Sequence, residues 1–260
     1  MDIIRILRDA LKLLRDEPRV FAPRIITTAL YSLFAVYSTM LTAELLTTPT
    51  QQQIHTIVWK AVLLLASLPA LYFIDAITYA MYPRIVKDYL EGHPINFTEA
   101  LKSALAAWRV VVALCLTIFL SLIAILSLSG ALQYMAATTG NILFTLLAVL
   151  SALALIFAFS VVVFFVVPAA VLEGKGVRES FAESVRLGLK NKTDILKLNL
   201  VFTALAIVTL LFMFSAEFSG SAAWLSIAAF ILLRLMQAVV YTYLCVTNPM
   251  AYINITAQRL

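Results

Sequence analysis

Residues Ile142–Val171 read ILFTLLAVLSALALIFAFSVVVFFVVPAAV, thirty residues without Asp, Glu, Lys or Arg. About 20 apolar residues are enough to cross the hydrocarbon of a bilayer. A water-soluble core cannot absorb such a run, because a chain of this size must still build a polar shell around its core. The run is therefore read as a transmembrane helix that reaches its far interface near Pro168. Five similar segments can be drawn around it, giving six expected spans: Ile25–Leu46, Val58–Tyr82, Val110–Leu128, Ile142–Val167, Leu198–Ala216 and Ala222–Val246. Over the 260 residues, 63% are hydrophobic and 13% charged. Soluble domains carry about 25% charged residues, so the composition agrees with the segments. The expected class is an all-α polytopic membrane protein.

Between the spans lie alternately short polar loops and longer charged stretches. Three of the charged stretches have helical amphipathic spacing. In the first, Ile3, Ile4, Leu7, Leu11 and Leu14 share a face, with Arg5, Arg8, Lys12 and Arg15 opposite. In the second, Phe97, Ala100, Leu101, Ala104, Leu105 and Trp108 share a face, Lys102 lies on the other, and Asn96 with Glu99 suggests a capping box. In the third, Val177, Phe181, Val185 and Leu189 oppose Arg178, Arg186 and Lys190. Each precedes a span, as interfacial helices do, with basic side chains toward phosphates.

These parts recur. Pro83, Pro168 and Pro249 follow outgoing spans, and Leu90-Glu91-Gly92 matches Leu172-Glu173-Gly174. Proline disfavours helix at and before itself, and glycine supplies left-handed turns. Each outgoing helix is thus expected to break or kink at one interface, in a single membrane domain (1–260) of three units, about 1–90, 91–174 and 175–260.

Seventeen of the 19 Lys and Arg residues fall at one end of the spans, counting the N-terminal stretch, the two long connections and Arg259. The opposite loops hold none, and Lys60 sits just inside the second span. Basic flanks stay cytoplasmic, so both termini are expected inside a cell membrane. On that side the sequons at Asn96, Asn191 and Asn254 are not expected to be glycosylated. The alternation of charged and apolar residues over Asp2–Glu17 is unlike a secretory leader. A net charge of +5 beside hydrophobic segments points to anionic lipid headgroups rather than nucleic acid. The expected headgroup contacts are Arg5, Arg8, Lys12, Arg15, Lys102, Arg178, Arg186 and Lys190. A homo-oligomer or another membrane partner is compatible with the same pattern.

Two charges lie within the spans, Asp75 and Arg234. Each costs roughly 2.5–3.5 kcal/mol to insert. They are expected to point inward and meet, directly or through Gln237 and water, either as a register-fixing ion pair or as a site for an ion or anionic headgroup. Glu44 and Glu217 lie at outer ends, and a shared cation site there is the weaker alternative to plain solvation. His55 and His93 fall on opposite sides. Cys115 and Cys245 lie in apolar segments, where packing is the expectation. No metal-ligand motif, phosphate loop or nucleophile elbow is present, so neither metal nor cofactor is expected and nothing argues for an enzyme.

The run VPAAVLEGKGVRESF (Val167–Phe181), with the N-terminal amphipathic stretch leading into Pro23, resembles prokaryotic six-helix membrane proteins. These are uncharacterised archaeal families and relatives labelled as the membrane domain of glycerophosphoryl diester phosphodiesterase. The resemblance implies architecture. In those relatives the hydrolase chemistry belongs to a separate soluble domain, so no functional residue carries over. Three functions follow in order: a non-catalytic module that organises lipids or docks a partner; a transporter or channel using Asp75 and Arg234; and, weakest, an intramembrane lipid enzyme. A polar cavity reaching both faces would favour the second, and a closed apolar core the first.

Overall fold

The protein, represented by a computed structural model, is described here over residues 2–46, 51–140, 142–217 and 223–257. The described residues form helices in the order α1 (Ile3–Asp16), a 3-10 turn (Pro18–Phe21), α2 (Ala22–Leu46), α3 (Gln51–Leu90), α4 (Phe97–Ala106), α5 (Trp108–Thr139), α6 (Ile142–Val163), α7 (Val166–Glu173), α8 (Val177–Lys190), α9 (Lys192–Glu217) and α10 (Ala223–Ala257), without strands. The architecture is all-α and polytopic.

Among the described residues, five helical stretches are long and apolar enough to cross a membrane: Pro18–Leu46, Gln53–Leu90, Trp108–Thr139, Ile142–Glu173 and Phe230–Ala257. The expected span Leu198–Ala216 is helical within α9, but the side chains of much of its second half lie outside the described residues. So do Ala222, Ser219–Ser221, Arg259, residues 47–50 of the first outer loop and the side chain of Trp224. The expected loop Ser129–Asn141 is helical as far as Thr139, where it extends α5.

Burial is concentrated at one end of the bundle. Leu13, Val20, Tyr82, Ile85, Phe165, Leu187, Ile195, Leu198, Met250 and Tyr252 are fully buried together, where α1, α4 and α7 pack against the ends of α3 and α10, and α8 packs against α6 and α7. Toward the other end the helices bare their apolar side chains: Ile142 is 74% exposed, Leu143 65% and Leu147 62%. So large an apolar surface is unfavourable in water and costs nothing among acyl chains.

The three amphipathic helices form where expected, but they turn different faces inward. α1 buries Ile6, Ala10, Leu13 and Leu14 and leaves Ile4 and Leu11 exposed. α4 buries the small Ala100 and Ala104, so Leu101, Leu105 and Trp108 at its end face outward. α8 buries Ser180, Glu183, Ser184, Leu187 and Gly188, and Leu189 is exposed. α4 and α8 pack into the core through the side that allows the closest approach or offers hydrogen bonds, which apolar spacing does not report. α1 still turns large apolar side chains inward, on a side centred on Ile6, Leu13 and Leu14.

Caps fix the ends. Asp2 accepts from the Arg5 amide, at 3.1 Å. Asn96 accepts from the Thr98 and Glu99 amides, at 3.0 and 3.2 Å. Gly92 and Gly174, the glycines of the two Leu-Glu-Gly tripeptides, adopt φ of 72° and 64°. That left-handed conformation ends α3 and α7 and is strained for other residues.

The expected breaks at the prolines need correction. α3 runs unbroken through Pro69 and Pro83, and α10 through Pro249. Neighbouring helices keep such proline-containing helices intact in a membrane, and Pro83 and Pro249 are both buried. The break before Pro168 is real. It falls at Phe164–Phe165, between α6 and α7. Side chains satisfy the freed backbone groups. Ser184 donates to the Val162 carbonyl at 2.6 Å and accepts from the Phe165 amide at 3.0 Å. Asn248, the residue before Pro249, donates to the Phe164 carbonyl at 2.5 Å.

α8 reaches this break because Gly188 has no side chain. A Cβ there would lie 2.4 Å from the Val161 carbonyl oxygen, whereas one at Gly130 in α5 would meet nothing within 4 Å. Gly188→Ala is therefore expected to cost about 1–3 kcal/mol by overpacking. Gly130→Ala should be neutral or slightly stabilising. Thermal unfolding of both variants in the same detergent checks the contrast.

Candidate functional site

The third residue of α2, Arg24, turns inward and is only 13% exposed. Its guanidinium pairs with the Asp75 carboxylate of α3. Its Nε donates to the Cys245 sulfur of α10 at 3.3 Å. Its plane lies 5.5 Å from the Tyr79 ring centre. One arginine thus ties α2, α3 and α10 together. Cys245, expected as plain packing, is buried and also accepts this bond.

Asp75 is therefore paired with Arg24, which corrects the expected direct contact with Arg234. In the sequence Arg24 is one of the basic residues of the N-terminal stretch, and nothing in linear spacing shows that it reaches Asp75. Arg234 donates instead to Gln237, one turn on, at 3.0 Å, and stacks over Phe230 at 5.1 Å. Among the described residues no carboxylate lies within ion-pair distance of it.

Asp75 and Arg234 nevertheless share one cavity of about 580 Å³, lined also by Arg24, Thr27, Tyr31, Gln237 and Tyr241. A second cavity, an apolar groove of about 370 Å³, runs between α2 and α10 past Ile25, Ala29, Leu33, Ile231 and Leu235. Arg234 and Thr28 line both.

All eight expected headgroup residues (Arg5, Arg8, Lys12, Arg15, Lys102, Arg178, Arg186 and Lys190) are exposed. Arg5 lies 3.7 Å from Asp9, and Arg186 is held by Glu183. At the far end Lys60 pairs with Glu44 at 2.8 Å, which gives Glu44 a partner that its sequence position did not suggest. The Glu217 side chain lies outside the described residues. His55 lies in the first turns of α3 and His93 just past its far end, and α3 is 40 residues long, so they form no common site. Asp88, Glu91 and His93 offer ligand atoms within 4.8 Å of one another, but buried Asp88 is already paired with Arg84 at 3.0 Å.

One network went unread in the sequence. Lys175 bridges Glu173 at 2.5 Å and Glu183 at 3.4 Å. Arg186 bonds Glu183 at 2.5 Å, and Tyr252 of α10 donates to Glu173. Glu183 falls on the charged side of α8 with Arg186, yet it is buried. Burial pushes its carboxyl up, but the Arg186 bond and the Lys175 charge outweigh this, and it titrates below its usual range.

Two predictions follow from these pairings. Arg24→Gln or Asp75→Asn strands one charge and should cost about 3–5 kcal/mol. The double reversal Arg24→Asp, Asp75→Arg should recover part of the folded yield in detergent, whereas reversing Asp75 together with Arg234 should not. A carboxylate with a depressed folded-state pKa stabilises above its unfolded value, about 4.3, and that contribution is lost as pH falls through the folded pKa. Glu183→Gln should therefore lower the melting temperature at pH 7, and the gap to wild type should close below about pH 4.

No curated protein and no solved structure matches the chain. A family match covers residues 1–252, nearly the whole sequence. The chain belongs to the family described as Domain of unknown function (DUF7847).

Proposed function

We propose that this chain is a non-catalytic module of the cell membrane that gathers anionic lipids against its basic end, with both termini cytoplasmic. The observation that carries the reading is the outward side of α1, α4 and α8. Exposed Ile4 and Leu11 lie among Arg5, Arg8, Lys12 and Arg15, and exposed Leu101, Leu105 and Trp108 lie beside Lys102 and Arg109. Apolar side chains that insert between headgroups, flanked by cations that meet phosphates, suit the interface rather than water. The other side of each helix is anchored in the core, so the cations are held in fixed places.

The recurrence of proline, Leu-Glu-Gly and amphipathic helix is read as three copies of one unit (1–90, 91–174, 175–260). The likeness to the membrane domain of glycerophosphoryl diester phosphodiesterases is read as shared architecture without the hydrolase. The cavity holding Arg24, Asp75 and Arg234 favours a second reading, passage of a small anion.

The test is reconstitution in nanodiscs of equimolar phosphatidylglycerol and phosphatidylcholine, followed by analysis of the lipid retained. Wild type is expected to enrich phosphatidylglycerol. Replacing Arg5, Arg8, Lys12 and Arg15 by Gln should reduce the enrichment, at roughly 1 kcal/mol per basic residue near the surface. Equal retention of both lipids by wild type, with anion flux in sealed vesicles, would replace the first reading by the second.

A further inference from the structure

Arg234 lies roughly three turns inside α10 from Ala223. Its charge is not neutralised by Asp75, which belongs to Arg24. Gln237 and the Phe230 ring face are neutral partners. A cation held in that state within hydrocarbon calls for an anion.

The surroundings define which anion. On one side of Arg234 is the polar cavity, where Thr27, Tyr31 and Tyr241 bring hydroxyl groups. On the other is the apolar groove, whose walls open to the outside of the bundle: Leu33 is 68% exposed and Ile231 53%. Both volumes, about 580 and 370 Å³, fall in the roughly 300–1,000 Å³ range of ligand sites. A free phosphate would use the cavity and leave the groove idle. A neutral lipid would use the groove and leave the cation uncompensated. A molecule with an anionic head joined to a long hydrocarbon chain uses both.

We infer that Arg234 anchors the phosphate of one anionic phospholipid, with an acyl chain lying in the α2–α10 groove beside Ala29 and Leu235. The headgroup is drawn into the cavity, where the Tyr31 and Tyr241 hydroxyls donate to its oxygens. Arg24 stays committed to Asp75 and shapes the wall. The site rests on the lipid-gathering role proposed above but differs from it in kind, as one retained molecule rather than a loose shell.

The experiment is native mass spectrometry of the full chain released from the same mixed nanodiscs. Wild type is expected to carry one phosphatidylglycerol and no phosphatidylcholine. Arg234→Gln should lower that occupancy about tenfold, the effect of one lost charge-assisted contact, while Arg234→Lys should largely retain it. Ala29→Trp fills the groove and leaves the cation in place, so it should also empty the site. Millimolar glycerol phosphate should not displace the lipid. Retention by both Arg234→Gln and Ala29→Trp would overturn the inference, even if one of the two proved poorly folded. Displacement by glycerol phosphate with Ala29→Trp unaffected would reassign the site to a soluble anion. Phosphatidylglycerol enrichment with no retained molecule would remove this site and leave the broader role standing. A retained molecule with no enrichment would do the reverse.

Discussion

Buried polar groups in this bundle have nowhere to turn but to one another. In hydrocarbon an unpaired amide, carbonyl or charge finds no water, so a partner within the protein is strongly favoured, and several of those partners come from another helix. Arg24 is met by Asp75 and Cys245. The two exposed carbonyls and the free amide of the α6–α7 break are met by Ser184 and Asn248. Tyr82 closes onto the Val20 carbonyl at 3.1 Å and Tyr243 onto that of Leu7 at 3.2 Å. These contacts link the chain's beginning, middle and end, and they fix helices whose apolar surfaces alone would slide past one another.

The same need explains where the core sits. Helix association in lipid gains little from burying apolar surface and much from close packing and interhelical hydrogen bonds. The polar and small residues that serve those purposes gather at the basic end, on α4, on α8 and on the last turns of α3 and α10. Ala100, Ala104, Ser180, Ser184 and Gly188 are buried there, whereas Leu101, Leu105 and Leu189 face outward.

Much of this was legible beforehand. Long uncharged runs such as Ile142–Val171 announce membrane helices by length alone; α1, α4 and α8 are announced by period, and α4 also by its cap. The inward faces of α4 and α8 are not legible, because hydrophobic spacing assumes that the largest apolar residues are buried. That holds in water and weakens where lipid is the solvent. At Pro83 and Pro249 tertiary packing overrides the local preference for a break. The partner of Asp75 was hidden because Arg24 lies 51 positions away and looked like one more flanking cation. The two glycine turns were legible, since only a particular backbone shape calls for that residue after Leu-Glu.

The one-ended core has a mechanical corollary. α5 and α6 leave it as two long rods packed along each other, with few buried side chains in their far halves, like a blade set in a handle. Free energies of local opening then rise along each rod from tip to root. Bilayer thickness and lateral pressure act on the tips, while the cross-linked root holds its shape. A membrane that thins or thickens would change the tilt of these rods before it disturbed anything at the handle.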